Sequence, residues 1–339
     1  MNDSNCFPFT KLSAQAQYER VQREFSMLLR QENPRSISFA TSLKNRHKNR
    51  YLDILANEAT LYPQATDAAG ASAPYYINGN LIDLGLPHKF VACQAPVVQG
   101  IPDFLAMLYD KKINLVIMVT KLEEGGFVKA DRYWPEENGS GSIAVPGNCG
   151  LTISEDPEKA YEVEDELKIT RRYLILQRPN EAPHKFTQVQ YTGWPDHGVP
   201  QSAASFEALL TNVKNSPTTV PVVVHCSAGI GRTGTLIGAY AVLTHLERGA
   251  LTDTTVYDVV SVMRRQRFGM VQRVEQYFVI YLTLMSRLGC DAKALAALLN
   301  SRNTAAASTG AAGGEEKEKK EVHRDKKRRE FLKNILYAC

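Results

Sequence analysis

The run Val222-Val223-Val224-His225-Cys226-Ser227-Ala228-Gly229-Ile230-Gly231-Arg232-Thr233-Gly234 brings together the residue types that can take a phosphoryl group from one oxygen and pass it to another. A β-branched strand pattern stops at a cysteine, a loop of small residues follows, and an arginine opens a helical pattern from Thr233 to His245. Ser227, Ala228, Gly229 and Gly231 are small enough for consecutive backbone N–H groups to turn toward one point, where the helix N-terminus adds its partial positive charge. Arg232 supplies a planar pair of donors suited to a tetrahedral oxyanion. In that field the sulfur of Cys226 is expected to be a thiolate nucleophile at neutral pH. Gly229, Gly231 and Gly234 also spell G-x-G-x-x-G after a strand, as in dinucleotide folds, but no second β-rich strand ending in an acid follows.

HCSAGIGRTG resembles the active-site loop of the protein tyrosine phosphatases, with Thr233 at the family's loop hydroxyl, and further motifs follow the family in order. Lys44 to Ile54 alone reads as a solvated basic loop; it is similar to the family's N-R-Y-x-D-I segment. The resemblance implies that Tyr51 stacks on the substrate ring and that Asp53 holds the peptide backbone, while Leu52 stands where some members carry a basic residue. Glu123 to Pro135 resembles the E-x-G-x-x-K-x-x-x-Y-W-P loop, in which Glu124 would orient Arg232 and Lys129 would lie near the general acid. Glu123 is one residue away and remains open as the partner. Trp194-Pro195-Asp196-His197-Gly198-Val199-Pro200 resembles the mobile acid loop, with Asp196 as proton donor to the leaving tyrosyl oxygen and Trp194 as hinge anchor. Arg264 to Tyr277 resembles R-x-x-R-x-G-M-V-Q-T-x-x-Q-Y, so Gln272, and secondarily Gln276, would place the hydrolytic water; Arg273 departs from the family's threonine. His225 would support the loop, and Ser227, Ala228, Gly229, Ile230 and Gly231 would bind phosphate through their amides.

The elements that must position these residues are legible as patterns. Tyr18, Val21, Phe25, Leu28 and Leu29 recur at three and four, an amphipathic helix stopped by Asn33-Pro34. Asp103 to Tyr109 reads as a short helix and Ile113 to Thr120 as a buried strand, with Cys93 a core residue. Residues 136 to 150 read as a surface turn, and Leu151 to Tyr191 alternates as antiparallel strands do. Helices are expected at Ser202 to Val213, from Asp253 as N-cap to about Gln266, and at Val274 to Leu288. The fold that the resemblance implies is a single α/β catalytic domain, a highly twisted mixed central sheet flanked by helices.

Six widely spaced cysteines show neither C-x-x-C pairs nor metal-type spacing, which suits a reduced, intracellular protein. No basic-then-apolar leader and no membrane-spanning apolar run is present in the 339 residues, so a soluble, cytoplasmic enzyme is expected. The net charge of +4 is concentrated in residues 315 to 333, with nine Lys/Arg against six Asp/Glu. Residues 1–300 are read as the catalytic domain, 301–314 as an Ala/Gly/Ser linker and 315–339 as a charged tail. A solvated tail is preferred over a weak hold on acidic lipid, a partner, or nuclear import through Lys326-Lys327-Arg328-Arg329. Phosphotyrosine-containing proteins are the expected partners, and no nucleic acid. No metal or cofactor is expected, because Arg232 and the loop amides already supply positive charge. A silent phosphotyrosine-binding module, a dual-specificity phosphatase and a phosphoinositide phosphatase are the competing classes. Cys226, Arg232 and Asp196 together speak against the first, the Tyr51 wall against the second, and a loop without basic residues between Cys226 and Arg232 against the third.

Overall fold

The computed structural model describes residues 7–64, 75–136, 142–147, 150–159, 161–194, 200 and 202–299. In chain order these form α1 (Ala14–Gln31), α2 (Ala40–Lys44), β1 (Gly79–Ile82), β2 (Phe90–Cys93), α3 (Ile101–Asp110), β3 (Leu115–Met118), β4 (Glu123–Glu124) and β5 (Phe127–Val128). There follow β6 (Ile143–Ala144), β7 (Thr152–Glu155), β8 (Glu162–Glu164), β9 (Ile169–Gln177), β10 (His184–Tyr191), α4 (Ala203–Lys214), β11 (Val222–His225), α5 (Gly231–Glu247), α6 (Thr255–Gln266) and α7 (Val274–Arg287).

The sheet runs β1-β2-β11-β3-β10-β9-β7-β6, with β8 on β9, and β4–β5 is a separate ribbon. Its centre is parallel: β11 pairs with β2 and β3, and β10 pairs with β3. Antiparallel partners extend both sides, β1 on β2 and β9 on β10. The sheet is therefore mixed. The valine run explains why β11 is central. Val222 and Val224 enter a core made with α1, α4, α5, α6 and α7, whereas Val223 enters the opposite core under α3. A parallel strand covered on both faces needs apolar residues throughout, and all four residues of β11 are buried.

Helix α5 carries the loop's exit through the middle of the larger core; every residue from Gly231 to Thr244 is buried. Amphipathic α1 lays Tyr18, Val21, Phe25 and Leu28 on that core but leaves Leu29, a member of the expected stripe, 45% exposed. Ser202 caps α4 by accepting the Ser205 N–H. Three boundaries differ from the sequence reading. Thr254, not Asp253, precedes α6, because the Asp253 carboxylate is drawn away by Arg20 Nη1 at 2.8 Å. Ile143–Ala144 lies within the expected surface turn yet pairs with β7. The basic stretch before Tyr51 is only partly loose surface: Lys44, Arg46 and His47 are exposed, but Lys48, at the end of a 3-10 turn at Arg46–Lys48, and Arg50 beyond it are bound inward.

Candidate active site

Cys226 stands at the C-terminal end of β11, where the parallel sheet gives out and ligands of such sheets are usually met. Its thiol is nearly buried and accepts the Gly229 N–H at 3.2 Å. Gly229 has φ +72°, and a Cβ there would lie 2.0 Å from the Cys93 carbonyl oxygen, so glycine is required for the loop to close against β2. With the N–H groups turned in, the carbonyls turn out, and Arg267 collects them. It is fully buried, donating from Nε to Gly229 O at 2.8 Å and from Nη2 to Ala228 O at 3.1 Å. Its other contacts are Asn80 Oδ1 at 2.8 Å and Asn78 Oδ1 at 3.1 Å. Burial lowers this guanidinium to about 10, still protonated at neutral pH.

Arg232, in the first turn of α5, is clamped by one carboxylate. Nη1 and Nη2 donate to the two Glu124 oxygens, each at 2.7 Å, and Nη1 also reaches Val119 O at 3.3 Å. Burial pushes the Glu124 carboxyl up, but Arg232, the Lys121 N–H and the Thr120 hydroxyl together hold it below the ordinary value. Glu123, the alternative, points outward on β4. Beneath the loop, His225 is fully buried and pulled down to about 4 by burial. Its Nδ1 faces the Cys226 carbonyl at 3.1 Å, which can only accept, so Nδ1 carries the proton. Nε2 then accepts from the Tyr133 hydroxyl at 2.9 Å. The Thr233 hydroxyl, also buried, makes no hydrogen bond among the described residues.

The sulfur opens on a cavity of about 440 Å³. Tyr51, Asp53, Lys129, Ser227, Ala228, Gly231 and Arg232 line it, as do Gln272, Arg273 and Gln276. Gly229, Ile230, Thr233 and His225 lie behind that lining. Tyr51 is fixed as a wall: its hydroxyl meets Ser227 Oγ at 2.8 Å, and Ser227 in turn donates to Lys129 O at 2.7 Å, so the tyrosine is the donor. Arg50, the residue before Tyr51, is itself anchored, donating to Ala95 O, Pro96 O and Asp131. Across the cavity, a Cβ on Gly231 would lie 2.8 Å from Gln276 Nε2 and 3.3 Å from Gln272 Oε1, which puts both amides against the loop. Gln272 is exposed to the cavity mouth. Gln276 is buried, its oxygen taken by the Arg273 N–H at 3.1 Å. Trp194 is 1% exposed and packs edge-on against Phe206 of α4 at 5.7 Å. Asp196 itself lies outside the described residues.

A model of the protein-tyrosine phosphatase family matches residues 45–286. The chain belongs to this family. It is similar to the crystallised protein tyrosine phosphatase of Trypanosoma cruzi, with 90% identity and a TM-score of 0.84 over 88% of this chain and 100% of that one. The corresponding Trypanosoma brucei protein is 60% identical, with a TM-score of 0.81, over 87% of this chain and all of the other. The human tyrosine-protein phosphatase non-receptor type 20 is 32% identical over 261 residues, 77% of this chain and 59% of the relative. The match thus spans little more than half of that curated relative, and 27% of human non-receptor type 4. Among the described residues no helix is long and apolar enough to cross a membrane.

Three residues that shape this site carry no role in the sequence reading: Arg267, Tyr133 and Arg50. Each stands inside a quoted motif. What marks them as structural is burial of a polar side chain, which only the packed molecule reveals.

Proposed function

We propose that this chain hydrolyses phosphotyrosine in protein substrates through a phospho-cysteine intermediate. The observation that carries the proposal is a nearly buried Cys226 sulfur at the foot of a tyrosine-walled cavity, beside an arginine fixed in plane by two equal bonds to Glu124. The Gly229 N–H donates to the sulfur at 3.2 Å, and the N-terminus of α5 opens onto the same cavity, an arrangement that binds anions. The thiolate attacks phosphorus, a sulfur–phosphorus bond forms and the phosphorus–aryl oxygen bond breaks. Arg232 and the amides of Ser227 to Gly231 take up the charge on the three equatorial oxygens. Asp196 donates its proton to the departing tyrosyl oxygen. In the second step a water placed by Gln272, with Gln276 behind it, loses a proton to Asp196 and attacks phosphorus. The sulfur leaves as thiolate, with the Thr233 hydroxyl available to it, and inorganic phosphate is released.

Tyr51 sets the depth that only a long phosphoaryl group spans, while Asp53 takes the substrate backbone. Lys129 is the cation beside the acid loop, and His225 steadies the Cys226 carbonyl. Residues 1–300 form the catalytic unit in this reading, followed by a linker and a solvated tail whose basic cluster adds at most a weak lipid or partner contact. The cytoplasm is the compartment that fits. Cys226→Ser is expected to abolish turnover of a phosphotyrosine peptide. Asp196→Ala should slow it by roughly 10²–10⁴-fold while substrate stays bound. An Asp196→Ala enzyme that turns over the peptide at the native rate removes that residue from the mechanism.

A further inference from the structure

The stretch leading to Tyr51 is cationic, but its inward cations are already spent. Lys48 Nζ sits 2.6 Å from Asp103 Oδ2, and Arg50 is 2.6 Å from Asp131 Oδ2 with two backbone carbonyls besides. Leu52, 62% exposed beside the wall, carries no charge. The opposite side of the cavity is different. There Arg273 lines the mouth, half-buried, at the N-terminus of the 14-residue helix α7, whose positive end has the same sign. Its backbone N–H is fixed by Gln276 Oε1 at 3.1 Å, so the residue is held in place. Of the cavity's two carboxylates, Glu124 is engaged by Arg232 at 2.7 Å. Among the described residues neither Asp53 nor neighbouring Glu275 forms an ion pair with Arg273.

A guanidinium that forms no ion pair among the described residues, on a backbone fixed at the mouth of a site that receives a peptide, is placed to read that peptide's charge. We propose that Arg273 selects substrates by binding an anionic side chain close to the phosphotyrosine, a carboxylate or a second phosphoryl group. This rests on the phosphatase reading above. The planar fork pairs with either anion through two parallel N–H bonds, and Leu52, exposed beside Tyr51, carries no charge of its own.

The test uses the native full chain with four phosphotyrosine peptides that differ only in their flanks: neutral, Asp/Glu, phosphothreonine and Lys. p-Nitrophenyl phosphate, which has no flanks, is the reference. An ion pair at a partly exposed position predicts kcat/KM about fivefold higher for the anionic peptides than for the neutral one, carried by KM and shrinking in high salt. Arg273→Gln should bring that ratio to about one, Arg273→Lys should restore part of it, and Arg273→Glu should turn the preference toward the Lys peptide. Ratios taken within each variant are independent of how much protein folds. A gain confined to the phosphothreonine peptide assigns Arg273 to a second phosphoryl group, and one confined to Asp/Glu assigns it to carboxylates. Equal kcat/KM for neutral and anionic peptides in the native enzyme, or an undiminished ratio in Arg273→Gln, overturns the proposal. Failure to hydrolyse p-nitrophenyl phosphate and every peptide overturns the phosphatase reading instead.

Discussion

At the scale of single residues, the site depends on groups that hold other groups. Glu124 touches no substrate in the mechanism above, yet it takes two of the five N–H bonds of Arg232 and so fixes the plane in which the other donors lie. Glu124→Gln keeps the shape and replaces one acceptor by a donor, which faces the guanidinium unfavourably. We expect kcat/KM to fall on the order of 10- to 100-fold with little change in melting temperature, since a misplaced donor is costly in the transition state. Steady-state kinetics beside calorimetry on one preparation checks this. His225 makes a different prediction. Its folded value of about 4 lies below the ordinary 6.5, so the unfolded chain binds the extra proton first. The stability this neutral ring contributes is present above pH 6.5 and is lost as pH falls toward 4, in total on the order of 3 kcal/mol. His225→Asn, which retains a donor for the Cys226 carbonyl, should flatten the native protein's decline in melting temperature across that window.

At the scale of elements, the phosphate loop is a product of what lies behind it. The strand β11 halts before Cys226, α5 begins at Gly231, and Arg267, from just beyond α6, ties the intervening carbonyls to Asn80 in β1 and to Asn78 just before it. Arg267→Met strands four buried acceptors. That predicts a loss of roughly 3 kcal/mol or more of stability and a fall in kcat/KM well beyond what the unfolded fraction explains, both measurable by denaturant titration with parallel kinetics. These facts also show where sequence reading reached its limit. The valine run, the cysteine-to-arginine spacing and the helical periodicities of α1, α4 and α7 were legible because each is a local pattern. Glu124 against Glu123 rested on the family resemblance alone, because in the local pattern adjacent residues of one type differ only in which side of β4 they take. Arg267 was not legible: four bonds to residues 38 to 189 places away in sequence leave no local trace. Asp253 misled for a related reason, since a good capping residue was claimed by Arg20, 233 positions away.

At the scale of the molecule, two cores share one sheet, and the larger closes only late in the chain. Leu295 and Leu299 are 1% and 4% exposed in it, on a helical stretch at 293–299. A chain ended at residue 300 is therefore expected to keep the native melting temperature and kcat/KM. One ended at 290 forfeits both leucines, about 1.5–3 kcal/mol each, and should melt several degrees lower. Thermal scans of the two truncations against the full chain decide it. The line of hydroxyls from Tyr51 through Ser227 to the Lys129 carbonyl has a consequence of its own. In the mechanism proposed above, it bolts the gauge that would measure a substrate's length to the same loop that carries the reacting atom. Any breathing of the cleft then moves the measure and the measured point together, so selectivity for a long side chain survives thermal motion without a rigid surface around it.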